Sequence, residues 1–109
     1  MDPGYVKRAI AARLSRVRHC YADALQRDPT LAGLVRVQLT IDPAGTLAAA
    51  SVVANGTGDE TVGGCVLDGV RAARFPPSDG GSEEFRVGIR LRLTNATVRL
   101  DDVVGGMPI

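Results

Sequence analysis

The sequence predicts an α+β domain of order α-β-β-α-β: a three-stranded antiparallel sheet, strand order 2-1-3, with two helices packed on one face. Three observations predict it. Residues 34–53 read LVRVQLTIDPAGTLAAASVV, two strand-like runs separated by a turn signal. Residues 85–93 read FRVGIRLRL, an uninterrupted alternation of apolar and mostly basic side chains. Two segments with helical spacing flank the first of these runs.

The first helix is carried by Val6, Ile10, Leu14, Val17, Tyr21 and Leu25, which recur at steps of three and four over about six turns. Asp2 and Pro3 suit the N-cap and first turn, and Asp28-Pro29 stops the helix. Lys7, Arg8, Arg13, Arg16 and His19 fall on the opposite face, the usual composition of a solvated surface. Cys20 lies beside Val17, Tyr21 and Ala24, at or near the apolar stripe.

In the first strand Val35, Val37, Leu39 and Ile41 point one way and Arg36, Gln38 and Thr40 the other. Asp42-Pro43-Ala44-Gly45 then breaks the run. Pro43 presets φ for a type I turn and Gly45 tolerates positive φ at its end. The second strand follows from residue 46 to 54, so the pair is a β-hairpin. The polar stretch 55–59 leads into a second helix, capped by Thr57 or Asp59, with Val62, Cys65, Val66, Val70 and Ala73 on its inner face. Gly63, Gly64 and Gly69 each weaken that helix by about 1 kcal/mol relative to Ala. The helix therefore depends on packing, and close approach to the sheet suits glycine. Phe75-Pro76-Pro77 ends it, and 78–84 reads as a solvated loop.

In the third strand Phe85, Val87, Ile89, Leu91 and Leu93 face in, and Arg86, Arg90 and Arg92 face out. A right-handed crossover from the second strand to the third skips the first, which gives the 2-1-3 order. Residues 1–94 make up the domain. Residues 95–109 are a tail or a short extra strand, TVRL, with 105 onward a fraying end.

A chain of 109 residues is one domain with a small core. A formal net charge of +1 gives no overall drive toward nucleic acid or membrane. Aromatics are few, with no Trp, which argues against a base-stacking platform. No apolar run reaches the length of a membrane span, and no signal peptide is visible.

No catalytic constellation emerges, so no enzyme activity, cofactor or metal is expected. His19 stands alone, the serines lack a positioned base, and Glu83-Glu84 and Asp101-Asp102 read as solvated surface pairs. The Gly-rich pieces lack the strand-loop-helix and Lys context of a phosphate cradle. Asn55-Gly56-Thr57 and Asn95-Ala96-Thr97 match a glycosylation acceptor pattern that arises often by chance. Cys20 and Cys65 are not CxxC and form no zinc set with one His. From the residues alone they are either reduced buried thiols or one disulfide.

A combination of short motifs resembles a known family. Cys20-Tyr21-Ala22-Asp23-Ala24-Leu25, then Asp28-Pro29 and Leu31-Ala32-Gly33, lead into VRVQLTIDPAG, followed by Cys65-Val66 and Arg74-Phe75-Pro76. This resembles the TonB-like C-terminal domain of the AgmX/PglI type, within the TonB/TolA C-terminal superfamily, over roughly residues 6–93. The glycines at 63, 64 and 69 depart from that pattern, as does the lack of an N-terminal anchor and spacer.

The resemblance implies a periplasmic protein–protein interaction module of an energy- or force-transducing envelope protein, serving gliding motility or transport. The full-length protein would be anchored in the inner membrane, with this fragment outside the bilayer. The implied partner is an outer-membrane or periplasmic protein segment, captured by strand addition to an exposed sheet edge. In order 2-1-3 the second and third strands are the edges. The third is longer and more apolar and is the favoured one: Phe85, Arg86, Val87, Gly88, Ile89, Arg90, Leu91, Arg92 and Leu93. Its arginines have an alternative role, protecting the edge from aggregation.

The resemblance also favours a disulfide between Cys20 and Cys65. Both fall near the inner stripes of helices that share one sheet face, and the periplasm is oxidising. The alternative function is a small cytoplasmic nucleic-acid-binding domain that uses the basic first helix or the arginine face; net charge and the few aromatics weigh against it.

Overall fold

The computed structural model describes residues 2–78 and 80–108, and for 106–108 the backbone only. Its elements are α1 (Pro3–Ala11), α2 (Leu14–Arg27), β1 (Gly33–Ile41), β2 (Leu47–Asn55), α3 (Glu60–Arg71), β3 (Glu83–Arg92), a single 3₁₀ turn (Thr94–Ala96) and β4 (Thr97–Pro108). The strands form one antiparallel sheet of order β2-β1-β3-β4. The α+β class and the 2-1-3 order of the first three strands agree with the sequence. The three-stranded sheet does not: a fourth strand lies outside β3.

The expected first helix is two. Asp2 caps α1 by accepting from the Gly4 N–H at 2.8 Å, with Pro3 in the first turn. At Arg13 the N–H turns to the Ile10 carbonyl, three residues back, at 2.8 Å. That tight 3₁₀-type turn separates α1 from α2. The apolar stripe keeps its phase through the break, and Val6, Ile10, Leu14, Val17 and Tyr21 are all buried. The break lets α1 lie on β4 while α2 packs beside α3, which in turn lies on β2.

One face of the sheet is dry. Val35, Val37, Leu39 and Ile41 of β1, and Phe85, Val87, Ile89 and Leu91 of β3, are at most 1% exposed. Burial of each such side chain is worth about 1.5–3 kcal/mol, an upper figure because the unfolded chain already hides some of it. Facing them from the helices are Val6, Ile10, Val17, Tyr21, Val62, Val66 and Val70. The Tyr21 hydroxyl donates to the Leu31 carbonyl at 2.5 Å, which fixes the linker into β1. Burial pushes the Tyr21 phenol above its ordinary pKa.

The β1–β2 turn forms as its residues dictate. The Gly45 N–H donates to the Asp42 carbonyl at 2.9 Å, and Gly45 has φ 88°. A Cβ there would collide with the Phe75 carbonyl, so glycine serves both the turn and the close approach of the segment after α3. The Asp42 carboxylate accepts the Ala44 and Thr46 N–H groups, each at 3.0 Å, and the Thr46 hydroxyl. These bonds hold it below the usual carboxylate range.

Asp59, not Thr57, caps α3, accepting the Val62 N–H at 2.9 Å; that bond, with Arg27 nearby, lowers its pKa. Thr57 supports the cap by accepting the Asp59 N–H at 3.2 Å. The α3 glycines have distinct reasons. A Cβ at Gly63 would meet Asn55 Nδ2 of β2, and one at Gly69 would meet Val17 Cγ2 of α2. Close approach thus involves the neighbouring helix as well as the sheet. Gly64 faces open space, and nothing in its surroundings requires glycine.

The expected loop 78–84 is shorter than read, since Glu83 and Glu84 belong to β3 and Glu83 is 9% exposed rather than solvated. Asp79 lies outside the described residues. The tail expected from 105 onward is instead the end of β4, which pairs with β3 through Glu83↔Pro108; Ile109 lies outside the described residues.

Candidate functional site at the sheet edges

The predicted binding strand is not an edge. Every residue from Glu83 to Leu91 has a partner on β1, from Ile41↔Glu83 to Gly33↔Leu91. On its other side β3 pairs with β4 from Arg92↔Thr97 to Glu83↔Pro108. Phe85, Val87, Ile89 and Leu91 are core, Arg86, Gly88, Arg90 and Arg92 face the helix-free side, and Leu93 begins the β3–β4 connection, half exposed. The expected free edge at residues 85–93 is therefore corrected: its backbone groups are already committed to two neighbours. The connection that closes it places Asn95 (φ 56°) and Ala96 (φ 49°) in the left-handed region, which reverses the chain within four residues.

The arginines of that face meet β4 rather than solvent alone. Arg90 pairs with Asp101 at 3.3 Å. Arg36 of β1 reaches Asp102 of β4 at 3.3 Å, across the intervening strand. Arg36, Gly88 and Asp102 occupy one cross-strand row, and a Cβ on Gly88 would sit against Asp102 Oδ1. Glycine at 88 is what leaves room for a salt bridge that skips a strand. Asp101 and Asp102, read from sequence as simply solvated, are thus partners of arginines. Each such exposed pair is worth about 0.2–1 kcal/mol.

The real edges are β2 and β4, and they differ in chemistry. β4 carries Arg99, Asp101 and Asp102, two register irregularities against β3, Gly105 at φ 125°, and Pro108. Charge, bulges and proline are the devices that discourage strand addition. β2 reads LAAASVVAN, nine residues without one charge. It too has two irregularities, at Ala48 and Val53, but Ala49 to Val52 pair regularly with β1. Its inner residues Leu47, Ala50 and Val52 rest on the core, and Val53 is 48% exposed.

Beside the first half of β2 lies a groove of about 390 Å³. Residues 46–50 form one wall and Arg71 and Arg74, at and just past the end of α3, form the other. Both arginines are exposed, and among the described residues neither is in an ion pair. The Asp59 cap sets where α3 starts, the Asp42 turn sets where β2 starts, and together they position the two walls.

Sequence reasoning named β2 as an edge but passed over it for β3, and it gave Arg71 no role and Arg74 only a place in a motif. The available signal was the absence of charge from 47 to 55. On the other side of α3, Cys65 forms a disulfide with Cys20 of α2, the Cα atoms 6.3 Å apart. Both cysteines are half-buried, on the flank of the helical stripes rather than their centre. His19 is exposed, and among the described residues no three His, Cys, Asp or Glu side chains cluster as a metal site would need. Among the same residues no helix is long and apolar enough to cross a membrane.

The chain matches no protein-family model, no curated protein and no solved structure.

Proposed function

We propose that this domain is a protein–protein interaction module of the cell envelope, of the TonB/TolA-like kind, and that it captures an extended partner segment by strand addition. The observation that carries the reading is an antiparallel sheet whose β2 edge is long, uncharged and unpaired. Free N–H and C=O groups along such an edge supply affinity without a catalytic apparatus. The motif residues at 20–33, 65–66 and 74–76 support the TonB-like assignment. The Cys20–Cys65 bond supports an oxidising compartment, the periplasm, because such crosslinks persist there. In this reading the domain is the terminal module of an inner-membrane-anchored protein and its partner is an outer-membrane or periplasmic segment.

The test is amide hydrogen exchange on the domain with and without a partner captured from an envelope extract. Slowed exchange along β2 or β4 is the expected result. Protection confined to the basic face of α1 and α2 overturns strand addition. Fractionation that places the full-length protein in the cytoplasm overturns the envelope assignment.

A further inference from the structure

We infer that the partner segment adds to β2, not β4, and that it is acidic, with carboxylates directed at Arg71 and Arg74. This rests on the strand-addition reading above and makes it specific in place and in chemistry.

The place follows from the contrast of the edges. A strand approaching β4 meets Arg99, Asp101, Asp102 and Pro108. A strand approaching β2, which is bulged as often, meets alanine, serine and valine and no charge along the strand.

The chemistry follows from the groove. Side chains of an added strand alternate between the two faces of the sheet, and those on one face repeat every ~6.6 Å. On the helix-covered face, beside residues 46–50, they enter the space bounded by Arg71 and Arg74. Among the described residues its lining contains no carboxylate, and both guanidiniums are without an ionic partner. The carbonyl end of α3 lies nearby and repels an anion, but with only about half a charge against two full ones. Guanidinium favours carboxylate because the two match in a paired, bidentate geometry.

The groove also separates this occupant from two others. A second copy of the chain pairing β2 to β2 would present no carboxylate, since β2 has none. A nucleic acid would supply phosphates but no main-chain donors and acceptors for the strand edge, and among the described residues no aromatic side chain lines the groove for its bases.

The experiment uses the disulfide-bonded chain and a fluorescent synthetic peptide of about ten residues, long enough to pair along β2. The peptide alternates valine and threonine on one face and carries two glutamates on the other. Glutamine and lysine versions and an oligothymidylate of similar length are the counter-probes.

The inference expects the glutamate peptide to slow amide exchange along 47–55. The double substitution Arg71→Glu and Arg74→Glu should weaken its binding by roughly tenfold or more, and the lysine peptide should bind that variant better than it binds the native chain. Both arginines are exposed, so the variant keeps its fold, which circular dichroism checks. Protection along β4 with β2 unchanged overturns the inference while leaving strand addition intact. So does equal affinity for the glutamate and glutamine peptides. Tighter binding of the oligothymidylate, or a dimer by sedimentation with β2 protected in the absence of peptide, overturns it in favour of those occupants. No protection of either edge by any peptide overturns the strand-addition reading itself.

Discussion

Replacing Cys20 and Cys65 together by alanine removes a crosslink between residues 45 apart in the chain. In the chain-entropy model, opening a loop of that size costs about 4 kcal/mol at 25 °C. The native state offers little to offset or add to this. Both cysteines are half-buried on the flank of their helices, so alanine leaves no large cavity. α2 and α3 remain in contact through Val17 against Gly69, and Val62, Val66 and Val70 remain in the core. The effect therefore acts mainly on the unfolded chain, which gains freedom and exposes more surface.

Against a total of about 5–15 kcal/mol for a domain of this kind, a loss of about 4 kcal/mol leaves about 1–11 kcal/mol, marginal at the lower end. Urea titration should show a lower midpoint together with a steeper slope, because the unlinked denatured state is less compact. The melting temperature should fall by about 15–25 °C. The amide spectrum of the folded variant should change only around residues 20 and 65. A stability loss below about 1 kcal/mol refutes the argument from unfolded-state entropy. Two free thiols per chain in native material from an oxidising compartment refutes the bond itself.

The two helix glycines should respond oppositely: Gly64→Ala should stabilise by about 0.5–1 kcal/mol because the site is open, and Gly69→Ala should destabilise by about 1–3 kcal/mol because its Cβ lands on Val17, both read by thermal melts. Tyr21→Phe keeps the buried ring but strands the Leu31 carbonyl, and should cost about 1–3 kcal/mol in urea titration. Acid should destabilise the fold through Asp28, Asp42 and Asp59. Their folded pKa values lie below the ordinary 3.8, Asp28 chiefly through Thr30, so their contribution is whole above that value and disappears as pH falls through the depressed ones. Denaturant midpoints measured from pH 7 downward should drop in that window, and Asp42→Asn should flatten the drop.

What was legible followed the periodicities. β1 and β3 alternate without interruption, so their inner faces could be read directly, and the Asp42–Gly45 turn carries its own chemistry. Of β4 the sequence offered only its start, TVRL at 97–100, as the alternative to a tail; the rest could not be read because its alternation is broken by the pairing itself. Val98 and Leu100 face in, Asp101 is an extra residue with no opposite partner, and the next inward side chain is Val103, three positions on. A period of two fails across that step, and the glycines at 105 and 106 hide the rest. The α1–α2 break left no mark either. Val6, Ile10, Leu14 and Val17 keep helical steps through it, and no proline or glycine stands between Ala11 and Leu14. It is set by tertiary demand, the need to cover both β4 and the flank of α3. Since β4 is what makes β3 interior, leaving 95–109 as a tail or a short extra strand moved the candidate site from one side of the sheet to the other.

That displacement sharpens the question of what the β2 edge is for. Edge protection works when charge or proline is spread along the strand, so that no register of an incoming chain avoids it. β4 meets that requirement over part of its length, with charges at Arg99, Asp101 and Asp102 and a proline at 108, while 103–107 carry none. β2 carries no charge of its own: among the described residues, Arg71, the last residue of α3, and Arg74, just past it, stand beside residues 46–50 without an ionic partner. Residues 51–55 are left unguarded, with Val53 exposed. Repulsion of stray strands would place charge where the edge is open. On the strand-addition reading proposed above, the charge at one end and to one side of β2 would repel cationic segments and attract anionic ones. An edge so arranged would select among incoming strands, and that selection is what the proposed acidic partner requires of a binding edge as against a protected one.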